Sequence, residues 1–524
     1  MKLLSIIISM CILACSFSTL ASANTKQKFK LHKVHHAAAR HPAKKASTLA
    51  PAKASIAMAA ATIWPTRISS APVYGAKQLS NEINRIIQPL RSNIEVGVYV
   101  KSMKQGDNLF TRNVNQFFVP ASVLKVFTAE AALLYLGPEY RFSTLLLTDA
   151  KSVNNGVLQG NLYIVQTGDP SLTYYDLTDL MVNLKTRQIH TISGNVYIDN
   201  SAYDQSVYGP GWLWDDKKNC YAAPISASII NHNCLSMQVT PARTKGAPAR
   251  IQTSSHYYYP PLINRVTTVA SRSCSLHLNT ESNSSISLNG CMPKGQYAWG
   301  ISYVLQDIQG YNYSLFQDLL RQMNVRVYGR IQQGVAAPHL PIIATHQSKP
   351  LKDLVHDMLK KSDNVIAGSL FKKVGQLYTK QPGSWENGGL AVTQILSRRS
   401  GLNSAGAQVI DGSGLSRENR ITPTQMMQVL DFAYHHYATN YEFITALPIG
   451  GVDGTLKHRM GNIARKVRAK TGTMKGVIAL AGYAVSADKE PLAFVIMINT
   501  RAGSMWQYRQ IEDKIVTVLT RYSR

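Results

Sequence analysis

From Val123 to Leu136 the chain is apolar on nearly every face, with Val, Leu, Phe, Ala and Tyr filling most positions. A helix that is hydrophobic all round has no solvent side, so it has to run through the middle of a domain. Pro120-Ala121 leads into it and Gly137-Pro138 stops it, as a C′ glycine followed by proline should. Lys125 is therefore out of place, because an amine in an apolar interior is unfavourable unless it is used or paired. Ser122 lies one turn earlier on the same face. An isolated S-x-x-K pattern reads as a helix N-cap with a lysine behind it. With a second cation nearby, however, a buried lysine loses basicity and can act as a general base toward the serine.

Two further short motifs follow in order, Ser362-Asp363-Asn364 and Lys470-Thr471-Gly472. Ser362-Asp363-Asn364 sits between a segment of helical spacing, 351–361, and an apolar stretch, 365–371, so it is a short connection between helices. Lys470-Thr471-Gly472 precedes two apolar, partly β-branched runs, 477–483 and 492–498, joined by the turn 487–490. These read as an antiparallel hairpin, and a glycine in a strand marks close approach of another backbone, here expected to be that of the substrate. S-x-x-K, S-x-N and K-T-G together are the signature of enzymes that attack a peptide-like carbonyl with serine and move its proton with lysine. Ser486-Ala487-Asp488-Lys489 and Ser152-Val153-Asn154 also fit two of the patterns, but both fall in polar, turn-like stretches.

On these motifs the chain resembles the class C, low-molecular-mass penicillin-binding proteins, a family of D-alanyl-D-alanine carboxypeptidases and endopeptidases. The likeness runs from about Ala71 to the C-terminus and includes Gly168-Asp169-Pro170-Ser171-Leu172, Gly211-Trp212-Leu213-Trp214-Asp215-Asp216, the stretch from Asp411 to Arg417, and Gly451-Val452-Asp453-Gly454-Thr455-Leu456. The family carries a long insertion between its first two motifs, and Ser122 and Ser362 are 240 residues apart. The resemblance implies an α/β (α+β) serine transpeptidase/β-lactamase-like catalytic domain with a large, mostly β insertion of two small domains. It also implies roles. Ser122 is the nucleophile and Lys125 its base, Ser362 with Lys470 passes a proton to the departing amine, and Asn364 orients the substrate amide. Thr471, Gly472 and Thr473 border the terminal carboxylate, and the N–H groups of Ser122 and Thr473 form an oxyanion hole. Positions matching Asp216, Tyr221 and Arg417 contact the diamino acid of the stem peptide, and Lys475 stands where relatives tend to have glutamine. The expected partners are peptidoglycan stem peptides and cross-links, with β-lactams as covalent inhibitors and no cofactor. A β-lactamase would need a deacylating carboxylate on a dedicated loop, which cannot be identified here, and a lapsed scaffold would not keep the serines and lysines intact.

Residues 1–23 have one positive charge, an apolar core and an Ala21-Ser22-Ala23 end, the pattern of a cleaved export signal, so a periplasmic location is expected. A lipoprotein reading at Cys15 is the alternative. Removing the signal leaves Cys220, Cys234, Cys274 and Cys291, and four cysteines in an exported protein suggest two disulfides with three possible pairings. Short loops and the family likeness favour Cys220–Cys234 and Cys274–Cys291. No C-x-x-C or H-E-x-x-H pattern points to a metal site. Residues 24–70 hold nine Lys or Arg and no acid, and read as a disordered basic tether in which His32, His35, His36 and His41 are solvated. The formal charge of +27 in an exported chain points to anionic envelope polymers and carboxylate-bearing peptides, with peripheral envelope association through the tether, and not to nucleic acid. The remainder is too long for one core. The expected division is a discontinuous catalytic domain, 71–145 and 335–524, around inserted accessory domains, 146–334.

Overall fold

A computed structural model of the chain describes residues 73–90, 93–253, 259–271, 273–281, 285–500 and 503–524. The expected export signal, the basic tether and their histidines lie outside the described residues. Among the described residues no helix is long and apolar enough to cross a membrane.

The hairpin expected after Lys470-Thr471-Gly472 is the centre of a five-stranded antiparallel sheet. Its order is Val467–Met474, Val477–Val485, Pro491–Thr500, Ile94–Ser102, Asn108–Arg112. Both faces are covered, which is why the two middle strands read as continuous apolar runs. Ile478, Leu480, Phe494 and Ile496 face one core, with Leu79, Ile83 and Ile87 of the helix Ala76–Ile87 and Ile515, Val516 and Leu519 of the C-terminal helix Met505–Leu519. Ala479, Ala481, Ala493 and Val495 face the other core, which belongs to a helical layer. Small residues on that face let the turn carrying Ser122 come close.

The central helix, Lys125–Leu136, is buried at every position through Leu133. Around it pack the helices Leu351–Lys361, Asn364–Thr379, Trp385–Ser400 and Pro423–His435. Each large apolar side chain removed from water there contributes about 1.5–3 kcal/mol. Glu130, buried on the same helix, accepts from Thr439 Oγ1 at 2.9 Å, and burial raises its carboxyl to about 7. The helix ends at Gly137, whose φ of +82° is the left-handed turn glycine permits and whose N–H reaches Leu133 O at 3.1 Å.

The inserted segment builds two cores of its own. One carries a five-stranded sheet in the order Ile331–Gln333, Val196–Asp199, Leu162–Val165, Ser143–Thr148, Ile342–Gln347, a smaller four-stranded sheet, and two helices, Tyr174–Thr186 and Ile308–Gln322. The strand signals here are present, and the two helices accompany them, each opened by a side-chain cap, Thr173 or Asp307. The other core is small and all β. It consists of three strands around Cys234–Thr240 and three around Ile286–Pro293, packed on Val239, Val266, Leu288 and Met292. The first sheet reaches beyond the boundaries expected from sequence. It takes in 143–145 and 342–347, because the last strand, Ile342–Gln347, pairs antiparallel with the first, Ser143–Thr148. Phe142 and Ser348 close the junction, with Ser348 N donating to Phe142 O and Phe142 N to Ser348 Oγ, both at 2.9 Å.

The disulfides are Cys220–Cys234 and Cys274–Cys291, with Cα–Cα separations of 5.6 and 5.2 Å. Of the three pairings open to four cysteines, the chain uses the one joining sequence neighbours.

Candidate active site

Ser122 lies in a short 3-10 turn, Ala121–Leu124, that runs directly into the central helix. Two close backbone approaches hold the turn. Ala121 has a φ of +47°, rare for a residue with a Cβ, and its carbonyl faces Gly414, where a Cβ would lie 1.9 Å from that oxygen. On the other side a Cβ at Gly472 would come within 2.9 Å of Pro120 O and 3.2 Å of Ala479 Cβ. The glycine of the third motif therefore lets the strand Val467–Met474 lie against the serine turn.

Lys125, fully buried, reaches back with its Nζ 2.9 Å from Ser122 Oγ, 2.6 Å from Asn364 Oδ1 and 2.7 Å from Ser413 O. An ammonium group has three protons to donate, and these three acceptors match them. Burial lowers the amine to about 7, against the opposing pull of Asp411 and Asp363. Near neutral pH a large share of Lys125 is thus a free amine in contact with a serine hydroxyl. Lys470, also fully buried, donates to Ser362 Oγ and Thr471 O, both at 2.8 Å. Its amine is pushed well below the usual lysine range by burial and then by the neighbouring Lys125.

The second motif is set by two helix ends. Ser362 ends Leu351–Lys361 in the left-handed region, φ 59° and ψ 40°, and Asp363 caps Asn364–Thr379 by accepting from Ile366 N at 2.9 Å. A serine held left-handed is a strained conformation of the kind that concentrates at functional sites. Asp363 is braced from the insertion by His232, whose Nε2 is 3.3 Å from Asp363 Oδ2. Asn364 has its amide fixed at both ends, with Oδ1 on Lys125 and Nδ2 donating to Tyr221 O at 2.7 Å.

The structure thus brings Ser122, Lys125, Ser362, Asn364 and Lys470 together, and Tyr221 joins them through its backbone. The Tyr221 hydroxyl, on an exposed side chain, donates to Asp216 Oδ1 at 2.7 Å. Arg417 points elsewhere, donating to the backbone carbonyl of Lys475 at 3.0 Å, while the Lys475 side chain is exposed. Thr471 Oγ1 donates to Thr455 Oγ1 at 2.8 Å, and Thr473 Oγ1 accepts from the Arg509 guanidinium at 3.4 Å. Of the two look-alike motifs, Ser486 accepts from Glu490 N in the hairpin turn, and Ser152 accepts from Asn154 on an exposed edge.

One functional residue has no motif of its own. Asp411 is fully buried and accepts five hydrogen bonds, from Gly414 N, Ser416 N, Asn419 Nδ2, Ser413 Oγ and Trp212 Nε1, at 2.7–3.0 Å. It shapes the loop that presents Ser413 O to Lys125. The stretch from Asp411 to Arg417 was visible as a family match, but its hub is evident only once Trp212, 199 positions away, is folded onto it.

A family profile described as D-Ala-D-Ala carboxypeptidase 3 (S13) matches residues 79–522. The chain belongs to that family. It is 34% identical over 425 residues to the "D-alanyl-D-alanine carboxypeptidase DacB" of Haemophilus influenzae, covering 80% of this chain and 88% of the relative. It is 30% identical over 466 residues to a "D-alanyl-D-alanine carboxypeptidase" of Actinomadura sp., covering 85% of each. The crystal structure of penicillin binding protein 4 (dacB) from H. influenzae superposes with a TM-score of 0.74 at 33% identity, over 84% of this chain and 99% of that one. A second structure of that protein, in complex with a β-lactam, gives 0.67 at 31% identity, over 83% and 98%. S13 members are serine-type peptidases, and the fold expected from the three motifs is the fold found.

Proposed function

We propose that the protein removes terminal D-alanine from peptidoglycan stem peptides and opens their cross-links, and that β-lactams inhibit it covalently. The observation that carries this reading is the Lys125 amine, buried and lowered to about 7, lying 2.9 Å from Ser122 Oγ. The neutral amine takes the serine proton as Oγ attacks the carbonyl carbon of the penultimate D-alanine. The N–H groups of Ser122 and Thr473 receive the oxyanion. The C–N bond then breaks, and the departing amine takes a proton from Ser362, which Lys470 holds and which regains a proton from the Lys125 ammonium, so that both lysines end the acylation as they began it. Asn364 orients the scissile amide, and Thr471, Gly472 and Thr473 border the leaving carboxylate. Water attacks the ester, Lys125 accepts its proton, and Ser122 is restored. A β-lactam opens onto the same serine, but its leaving amine stays tethered and blocks the water.

Farther out, Asp216, Tyr221 and Arg417 serve the diamino acid of the stem, by charge for its amine and carboxylate and by contact for its hydrocarbon. Lys475 adds a cation on the carboxylate side. The catalytic half consists of 71–142 and 348–524, with the insertion as a substrate-reading unit. Export to the periplasm by 1–23 and envelope contact through 24–70 place the enzyme beside its polymer. Ser122→Ala should abolish labelling by fluorescent penicillin while the protein keeps its melting temperature, because a hydroxyl fills little space. Normal labelling of that variant would move the nucleophile elsewhere and sink the mechanism.

A further inference from the structure

The strand that carries Lys470-Thr471-Gly472 does not end in open solvent on its far side. Thr473 touches Arg509 of the C-terminal helix, and Arg509 stands at the mouth of a groove of about 710 Å³. One wall is a stripe of the C-terminal helix running from Trp506 through Lys514 to Val518, with Arg521 just past the helix end. The other is the helix Ala76–Ile87, and the segment 458–462 closes the side between them. The stripe follows helical spacing, so these side chains share one face, with Val518 at its edge turning into the core.

The charges in the groove are uneven. Five arginines and lysines line it against two carboxylates, Glu82 and Asp513. Those carboxylates are taken, Glu82 by Arg85 at 2.7 Å and Asp513 by Arg459 at 2.6 Å. Arg509, Lys514 and Arg521 make no ion pair among the described residues. Trp506, 65% exposed, adds an aromatic side chain to the lining.

We propose that this groove binds the leaving strand of a cross-link, the carboxylate-bearing stem peptide released when the acyl-enzyme forms. The proposal rests on the endopeptidase half of the function given above. A single D-alanine is too short to leave the neighbourhood of Thr471 and Thr473. The leaving half of a cross-link is a whole stem peptide, whose first carboxylate lies at those threonines and whose later ones continue past Arg509. Arg521 lies two residues past the end of the helix Met505–Leu519; the ten positions from Arg509 to Leu519 rise roughly 15 Å, and an extended stem of three or four residues spans roughly 10–13 Å. The length and the sign of charge both fit. Binding the leaving strand favours cross-linked over monomeric substrate without touching the chemistry of Ser122.

The test compares kcat/KM for a purified cross-linked muropeptide dimer and for the monomeric pentapeptide, in the parent and in the double variant Lys514→Glu/Arg521→Glu. Reversing the exposed Lys514 and the half-buried Arg521 should lower the dimer-to-monomer ratio about tenfold. Lys514→Arg/Arg521→Lys should restore the ratio, and added salt should narrow the gap between parent and reversed variant. A parent that cuts the dimer, with the same ratio in the reversed variant, overturns the groove and leaves the proposed function standing. A parent that releases D-alanine but never cuts the dimer overturns the endopeptidase reading, and the groove proposal with it.

Discussion

The mechanism proposed for this protein turns on an amine that its surroundings partly neutralise. An unfolded lysine titrates near 10.4, whereas burial brings Lys125 to about 7. In the proposed mechanism the neutral form is the base, so the rate of acylation by a β-lactam should rise with pH through about 7 and level off above it. The same shift has a sign for stability. Between those two values the unfolded chain binds a proton that the folded chain releases, so this residue makes stability rise with pH across that window. Lys125→Met should lose acylation, yet flatten that part of the stability curve and melt no lower than the parent at pH 7. A pH-independent acylation rate between 6 and 8 in the parent would show that Lys125 is not the base. At this scale the sequence was informative where chemistry dictates spacing: Ser122 and Lys125 share a helical face, and no fold information is needed to see it. Asp411 was not legible, because four of its five donors lie within eight residues but their meaning depends on Trp212, which only the fold brings near.

Elements place these residues through close backbone approach. The strand Val467–Met474 lies against the serine turn because Gly472 has no Cβ, and the carbonyl of Pro120 occupies the space a Cβ would need. Gly472→Ala should therefore push strand and turn apart by a few tenths of an ångström. The expected result is a fall in the acylation rate of about tenfold or more, with the circular dichroism spectrum unchanged. Unaltered acylation would mean that the strand has slack the geometry does not show. The type of each catalytic element could be read from apolar periodicity, since a helix buried all round and strands covered on both faces leave plain patterns. The two helices of the insertion were harder to see. Their faces mix tyrosine, asparagine and aspartate with leucine, and the strand-like segments around them carry the stronger signal.

On the scale of the whole molecule, the insertion reaches into the site at two points, and one disulfide closes the loop that carries both. Tyr221, next to Cys220, holds the Asn364 amide, and His232, two residues before Cys234, braces Asp363. Closing a loop of this length contributes about 3 kcal/mol on the chain-entropy account. Cys220→Ser/Cys234→Ser should therefore slow acylation, whereas Cys274→Ser/Cys291→Ser should loosen the small β core and leave acylation near the parental rate. Equal rates in all three proteins would show that the bond is not needed to hold Asn364. The strand Ile342–Gln347, expected in the catalytic half, pairs into the inserted sheet, because in sequence a strand that belongs to the inserted sheet looks the same as one that belongs to the host. The edge strands also have a consequence for ancestry. Phe142 and Ser348 are bonded neighbours, so a short loop could span that gap, and a whole folding unit can be gained there in one event without bending the host. Loss is another matter. Trp212 now completes the shell around Asp411 and Tyr221 steadies Asn364, so excising the guest would leave a buried carboxylate short of a donor and a catalytic amide unaimed. The inserted segment is therefore no detachable ornament: changes on its far surface leave these contacts untouched, whereas its removal undoes them.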